Sequence, residues 1–269
     1  MKKEANSIAL YTHNGANVNR SDFVKALRAV GVRTGDTIFV HSAMFAFGRF
    51  VAKDKKAFLT SISNMLKKTV GKSGTVIMPT FTYSFTKKEP FDVRRSPSTV
   101  GVLTEHFRKE RGVVRTKHPL FSVAIWGKKK VAFSKISQDS FGTGSIFDIL
   151  CRGNAAIVFL GAPFQSMTFL HYIEQSHVVP YRYVKTFSGT VIDGNKKSAA
   201  SCTFLVRDLS KDVETDTTKL EMLLRKKKLL REAHVGGGTI LAVRAKDCFR
   251  GVMQMLDNDI YSLLKRKPS

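Results

Sequence analysis

The 269-residue chain is 43% hydrophobic and carries 45 lysines and arginines against 21 aspartates and glutamates, a formal net charge of +24. Its length and apolar share suit one large α/β domain or two small ones, and the absence of a linker or internal repeat favours a single domain over residues 1–269. No run of about 18 apolar residues occurs, which excludes a membrane-spanning helix. The N-terminal apolar stretch Ile8-Ala9-Leu10 is too short for a signal-peptide core. Cys151, Cys202 and Cys248 are far apart and odd in number. They fit no metal spacing or disulfide framework, so buried thiols, no metal and a cytoplasmic location are expected. The charge favours anionic partners: nucleic acid, anionic lipid or phosphorylated small molecules. The densest basic groups, Lys128-Lys129-Lys130 and Arg225-Lys226-Lys227-Lys228, read as solvated faces.

In chain order, Ser21 caps a helix to about residue 30, with Phe23, Leu27 and Val30 as its apolar stripe and Gly31 as its stop. Thr37-Ile38-Phe39-Val40 reads as a buried strand ending at His41-Ser42. Residues 55–68 form a helix with Phe58, Ile62, Met65 and Leu66 inward, and Thr75-Val76-Ile77-Met78 is a second strand, ending at Pro79-Thr80-Phe81-Thr82. A helix over 98–108 turns Val102, Leu103 and Phe107 inward. A strand over 122–126 follows, and then the Gly-rich loop Phe141-Gly142-Thr143-Gly144-Ser145. That loop enters a helix and could offer backbone amides to a phosphate, although it lacks both a P-loop and a dinucleotide fingerprint.

Ala155-Ala156-Ile157-Val158-Phe159-Leu160 is another apolar strand, stopped by Gly161. From about Ser166 a helix places Thr168, His171 and Glu174 three apart on one face. A His beside a carboxylate at a strand end is a candidate general base, since imidazole titrates near neutral pH; a chance surface pair is the alternative. Further on, Thr190-Val191-Ile192 and residues 203–206 form a hairpin around Asp193-Gly194-Asn195. A helix spans 219–232, Gly236-Gly237-Gly238 makes a hinge or turn before a strand over 239–243, and a last helix covers about 246–264. The fold class expected is α/β: a single layered α/β/α domain with a mostly parallel central sheet and a small β-hairpin insertion. Ligands of such sheets bind beyond the carboxyl ends of strands, here at His41-Ser42, Thr80 and Gly161.

The ordered series Phe91-Asp92, Ser96-Pro97-Ser98, Gly101, Gly112-Val113-Val114-Arg115, His118-Pro119, Ser122-Val123-Ala124 and Trp126-Gly127 resembles the central signature of the aminoglycoside 3-N-acetyltransferase family. Gly35-Asp36, Val40-His41-Ser42, residues 78–82 and 142–145, and Thr168 with His171 and Glu174 extend the resemblance over about residues 21–264. It implies acetyl transfer from acetyl-CoA to an amine of an aminocyclitol or amino sugar. It also implies that His171 is the catalytic His, with Glu174 and Thr168 at the other motif positions. The position before Thr168, often Asn in the family, is Met167 here. A carboxylate on a later strand is thought to orient the His, and Asp208 is nearest by order. His41, Ser42 and Thr80 are similar to parts of the family's CoA site, and Thr168 is grouped with them.

The chemistry agrees with this resemblance. An amine must lose a proton to attack a thioester, and the oxyanion that forms needs donors such as Ser42, Thr80 or backbone amides. Arg115 could pair with a CoA phosphate. Aminoglycosides, however, are polycations, which a +24 chain repels. A nucleotide-linked amino sugar of surface-polysaccharide synthesis is therefore an alternative acceptor. A basic nucleic-acid-binding protein is the alternative of another class, set against the scatter of the basic residues and the lack of any reading motif. A homo-oligomer is compatible with the sequence, and the acyl group and regiochemistry stay open.

Overall fold

The structure is a computed structural model that describes residues 9–51 and 54–267; Ile8 of the N-terminal apolar stretch lies outside them. The first elements are β1 (Ala9–His13), β2 (Ala16–Asn19), α1 (Arg20–Ala29), β3 (Thr37–Ser42), β4 (Arg49–Phe50) and α2 (Lys55–Val70). Next come β5 (Thr75–Pro79), β6 (Phe91–Asp92), α3 (Val102–Phe107), β7 (Val114–Arg115), β8 (Val123–Gly127), α4 (Lys130–Ser134) and α5 (Ile146–Arg152). The last are β9 (Ala156–Leu160), α6 (Leu170–His177), β10 (Arg182–Asp193), β11 (Lys196–Arg207), α7 (Thr218–Lys226), β12 (Arg231–Val235), β13 (Gly238–Arg244) and α8 (Ala245–Asn258).

A seven-stranded sheet in the order β12-β13-β9-β3-β5-β8-β7 forms the middle layer. Successive residues of its strands point to opposite faces. Phe39, Ile77, Ile157 and Phe159 enter one core, which α5, α6, α7 and α8 cover. Ile38, Val40, Val76 and Val158 enter the other, under α1, α2 and α3. The expected α/β class is present, with helices packed on both faces of the sheet. The sheet, however, is mixed rather than mostly parallel. Only β9-β3-β5 run parallel, whereas β8 returns antiparallel to β5 and β13 antiparallel to β9. At one edge β13 comes back directly from β12 through a tight turn.

The hairpin is larger than expected. Its strands, β10 and β11, are 12 residues each, and β6 pairs with β10 in a separate three-stranded sheet. Three predicted helices are shorter than expected. The 98–108 helix begins only at Val102, after Gly101 at φ +135°, and Val102 faces solvent. The 219–232 helix ends at Lys226; Lys228 takes a left-handed φ of +57°, and residues 231–235 instead form edge strand β12. The last helix stops at Asn258. Helix α1 starts one residue before Ser21, with the Asn19 amide donating to the Asp22 carboxylate at 2.8 Å.

Two glycine sites explain how the strand ends pack. Gly161, at the end of β9, sits at φ +72°, and a Cβ there would lie 2.6 Å from the Ala43 carbonyl oxygen. Gly161→Ala combines left-handed strain with a clash against backbone and is expected to cost about 3 kcal/mol. Urea unfolding measures this; an unchanged midpoint would contradict it. The glycine stretch 236–238, expected as a hinge or turn, is a packed turn. A Cβ on Gly236 would meet the Phe47 carbonyl oxygen at 2.4 Å, and one on Gly238 the Phe47 ring at 2.6 Å. All three cysteines are buried and free. No helix among the described residues is long and apolar enough to cross a membrane.

Candidate active site

The chain leaves β9 at Gly161, makes a 3-10 turn over Phe164–Ser166 and enters α6 only at Leu170. The helix thus begins later than the sequence predicts. Thr168 precedes it, and its carbonyl accepts the His171 amide at 3.1 Å. His171 and Glu174 remain one turn apart inside the helix. The His171 Nδ1 lies 2.5 Å from Glu174 Oε2. Glu174 is fully buried, whereas the His171 side chain is 26% exposed. Because Nδ1 is held by the carboxylate, Nε2 is the nitrogen left for proton exchange.

A buried carboxylate needs compensation. Besides His171, the Arg182 guanidinium at the start of β10 forms an ion pair with Glu174 Oε2, with Nε at 2.9 Å. Burial alone would raise the Glu174 carboxyl, but the positive charge of His171, its hydrogen bond and Arg182 hold it below the usual carboxylate range. Tyr181 packs beside it. Burial first, then the Glu174 charge, pushes the Tyr181 hydroxyl far above its ordinary value. The edge of the Phe141 ring approaches the imidazole at 5.4 Å between centroids. His171 and Arg182 line an open cleft of about 620 Å³ together with Lys185, Phe187 and Phe204 of the hairpin and Glu214.

The other expected residues are placed differently. Of the two carboxylates considered as partners of the imidazole, Glu174 is the one that meets it; Asp208 lies in the turn after β11, where its Oδ1 accepts from the Ser210 amide and hydroxyl. Arg115 is buried, and four of its donors are spent on the Ser122 hydroxyl and on the Val93, Ser96 and Thr80 carbonyls. It ties β7 to neighbouring loops and strands and is poorly placed for a phosphate. Thr80 is fully buried and donates to the Ser122 carbonyl at 3.0 Å. His41 is buried and stacks on Phe159 at 5.2 Å between centroids. Ser42 and Thr168 are half-buried, so of these residues they keep hydroxyls nearer solvent. The amides of the 141–145 loop are used internally. Those of Phe141 and Gly142 donate to Asp139, and that of Gly144 to Asp148. This loop is therefore no phosphate cradle. Arg182, Tyr181 and Phe141 are the site residues that sequence reasoning missed. The one signal for Arg182 was indirect: a buried Glu174 demands a cation.

A second concavity starts on the 3-10 turn after β3. Met44, Phe45, Phe50, Phe58 and Val102 line an apolar groove of about 290 Å³, with Lys55 at its side. An adjoining cleft shares Lys55 and Val102 and adds Ser98, Gly101 and Lys109. Phe45 is 79% exposed.

Two histidines are buried. Burial pushes both His41 and His118 down to about 4, and His118 Nδ1 accepts the Leu120 and Phe121 amides. Below about pH 6.5 the unfolded chain takes up protons on these two residues that the folded protein refuses. Their stabilisation is present above that pH and is lost as pH falls towards 4, by up to about 3 kcal/mol each. Glu174, with its lowered value, adds a loss in the same direction at more acid pH. Urea unfolding at neutral pH and at about pH 4.5 should show the drop; equal midpoints would contradict it.

Comparison with known proteins decides the family. The profile of the aminoglycoside 3-N-acetyltransferases matches residues 39–257. This chain belongs to the aminoglycoside 3-N-acetyltransferase family. Curated relatives of this acetyltransferase include aminoglycoside N(3)-acetyltransferase VII of Streptomyces paromomycinus, 26% identical over 214 residues, covering 70% of this chain and 72% of the relative. The SPbeta prophage-derived aminoglycoside N(3')-acetyltransferase-like protein YokD of Bacillus subtilis (strain 168) is 25% identical over 202 residues, covering 66% and 72%. The apoenzyme of aminoglycoside acetyltransferase AAC(3)-IVa shares the fold at a TM-score of 0.77 and 20% identity, covering 97% of this chain and 93% of that one. AAC-IIIb in binary complex with CoASH does so at 0.74 and 22%, covering 93% and 98%.

Proposed function

We propose that this acetyltransferase moves the acetyl group of acetyl-CoA to an amino group of an amino sugar or aminoglycoside, with His171 as general base and Glu174 as its orienting partner. The reading treats the chain as a single cytoplasmic acyltransferase domain. The observation that carries it is the hydrogen-bonded His171–Glu174 pair at the edge of an open cleft, in a chain of this family.

The residues present suit the co-substrate. The groove of Met44, Phe45, Phe50 and Phe58 is apolar enough for a pantetheine arm, and Lys55 beside it could meet its phosphates. A Cβ on Gly101 would sit 3.9 Å from the Ser42 carbonyl oxygen, which puts the end of β3 beside this second cleft. Ser42 is the remaining side-chain candidate for an oxyanion donor, beside backbone amides. Acetyl-CoA supplies the activated thioester. His171 Nε2 accepts the proton that the amine loses as its nitrogen bonds to the carbonyl carbon. It returns that proton to the departing sulfur as the C–S bond breaks. Glu174 fixes the tautomer that permits both transfers, and its charge favours the transient imidazolium. Arg182 keeps that carboxylate ionised in its buried position.

Incubation with acetyl-CoA and an amino-sugar panel tests the reaction. An amide-linked acetyl product, identified by mass spectrometry and NMR, is expected. An ester product, or hydrolysis without transfer, would contradict the proposal.

A further inference from the structure

The cleft beside His171 has an unusual charge for an enzyme expected to receive a polyamine. Its lining holds three cations besides His171, namely Arg182, Lys185 and Arg207, and one carboxylate, Glu214. Glu214 is already paired with Lys265 at 3.3 Å. Glu174 lies behind the imidazole, fully buried and shared between His171 and Arg182. Asp208, next to Arg207, is turned to Ser210 and Lys211. Lys185 and Arg207 have no carboxylate partner among the described residues. A polycationic acceptor would therefore find no free carboxylate here and two unpaired cations.

The same wall is aromatic. Lys185 and Phe204 face each other across the β10–β11 pair. The Lys185 ammonium sits 5.5 Å from the Phe187 ring centroid. Phe187 neighbours Phe204 at 6.4 Å, Phe204 neighbours Phe141 at 6.0 Å, and Phe141 meets His171 at 5.4 Å. A chain of ring contacts thus links Lys185 to the base through Phe187, Phe204 and the buried Phe141. Tyr183, on the same strand, is half exposed. Cations for phosphates beside the half-exposed Tyr183 ring and the partly buried Phe187 and Phe204 are a combination suited to a nucleotide.

We propose that the acceptor of this enzyme is an amino sugar carried on a nucleoside diphosphate, with its phosphates on Lys185 and Arg207 and its base stacked on the hairpin's aromatic wall. The proposal rests on the acetyltransferase reading and narrows it. The amine reaches His171 Nε2 while the anionic part stays on the hairpin. Nothing in the transfer chemistry changes.

CoA is itself an anionic nucleotide, so the test must keep the two apart. The protein is first saturated with CoA, and UDP or dTDP is then titrated by calorimetry. Binding is expected, weakening at raised salt. In the Lys185→Ala/Arg207→Ala variant it should fall by about tenfold or more, with CoA affinity unchanged. If CoA affinity falls instead, the cleft belongs to CoA and the proposal is overturned. It is equally overturned if the CoA-loaded protein binds tobramycin and neither nucleotide. Inorganic pyrophosphate binding as tightly as UDP would remove the nucleoside from it. Failure of the underlying reading looks different: acetyl transfer to amines would then persist in His171→Ala.

Discussion

His171→Ala is expected to lower kcat for acetyl transfer by about 10²–10⁴-fold while leaving affinity for CoA nearly unchanged. The size follows from what the side chain does. It is the cleft-lining imidazole whose second nitrogen is already fixed by a carboxylate, at 2.5 Å. Without it, the amine must lose its proton to water. Residual rate would come from holding the two substrates together. Folding should survive, because the imidazole is partly exposed and Glu174 keeps Arg182 as its partner. A variant with full activity would remove His171 from the mechanism.

Glu174 should show two separable effects. Glu174 Oε2 serves both His171 Nδ1 and Arg182 Nε. Glu174→Gln can keep an oxygen in that position but loses the charge, and with it a charge-assisted hydrogen bond worth about 1.5–3 kcal/mol. A kcat about 10–100-fold lower is expected. Glu174→Ala goes further. It leaves Arg182, whose side chain is 8% exposed, without its counter-charge in a buried position, at a cost of about 3–5 kcal/mol. Thermal or urea unfolding separates the two variants. If Glu174→Ala were as stable as the native protein, the buried ion pair would not be the support described. If Glu174→Gln kept full kcat, the carboxylate would not be assisting the imidazole.

Much of this site was legible because helical spacing is local. His171 and Glu174 are three apart in any helix, so their pairing survived even though α6 begins at Leu170 rather than near Ser166. Thr168 did not keep its place, since it falls before the helix. Arg182 and Tyr181 were not legible. They reach Glu174 only because the chain reverses after α6 and enters the hairpin, a long-range arrangement without a sequence period. Arg115 illustrates the opposite error. A charge in a sequence does not show whether it faces solvent, and here carbonyl oxygens and a hydroxyl consume it. The strands themselves were found from apolar runs such as residues 156–160. Apolar content does not encode direction, however, so the antiparallel entries of β8 and β13 were missed. The polar outer half of the hairpin, Lys196-Lys197-Ser198, has no buried face to betray it, and its length was underestimated.

The central claim is that this chain transfers acetyl from acetyl-CoA to an amine through His171. Thiol release from acetyl-CoA, followed with a panel of nucleotide-linked amino sugars, simple amino sugars and aminoglycosides, tests it most directly. The account predicts acceptor-dependent release matched by N-acetylated product in the native protein and nearly abolished in His171→Ala. Release that ignores the acceptor, or that His171→Ala leaves intact, would contradict it.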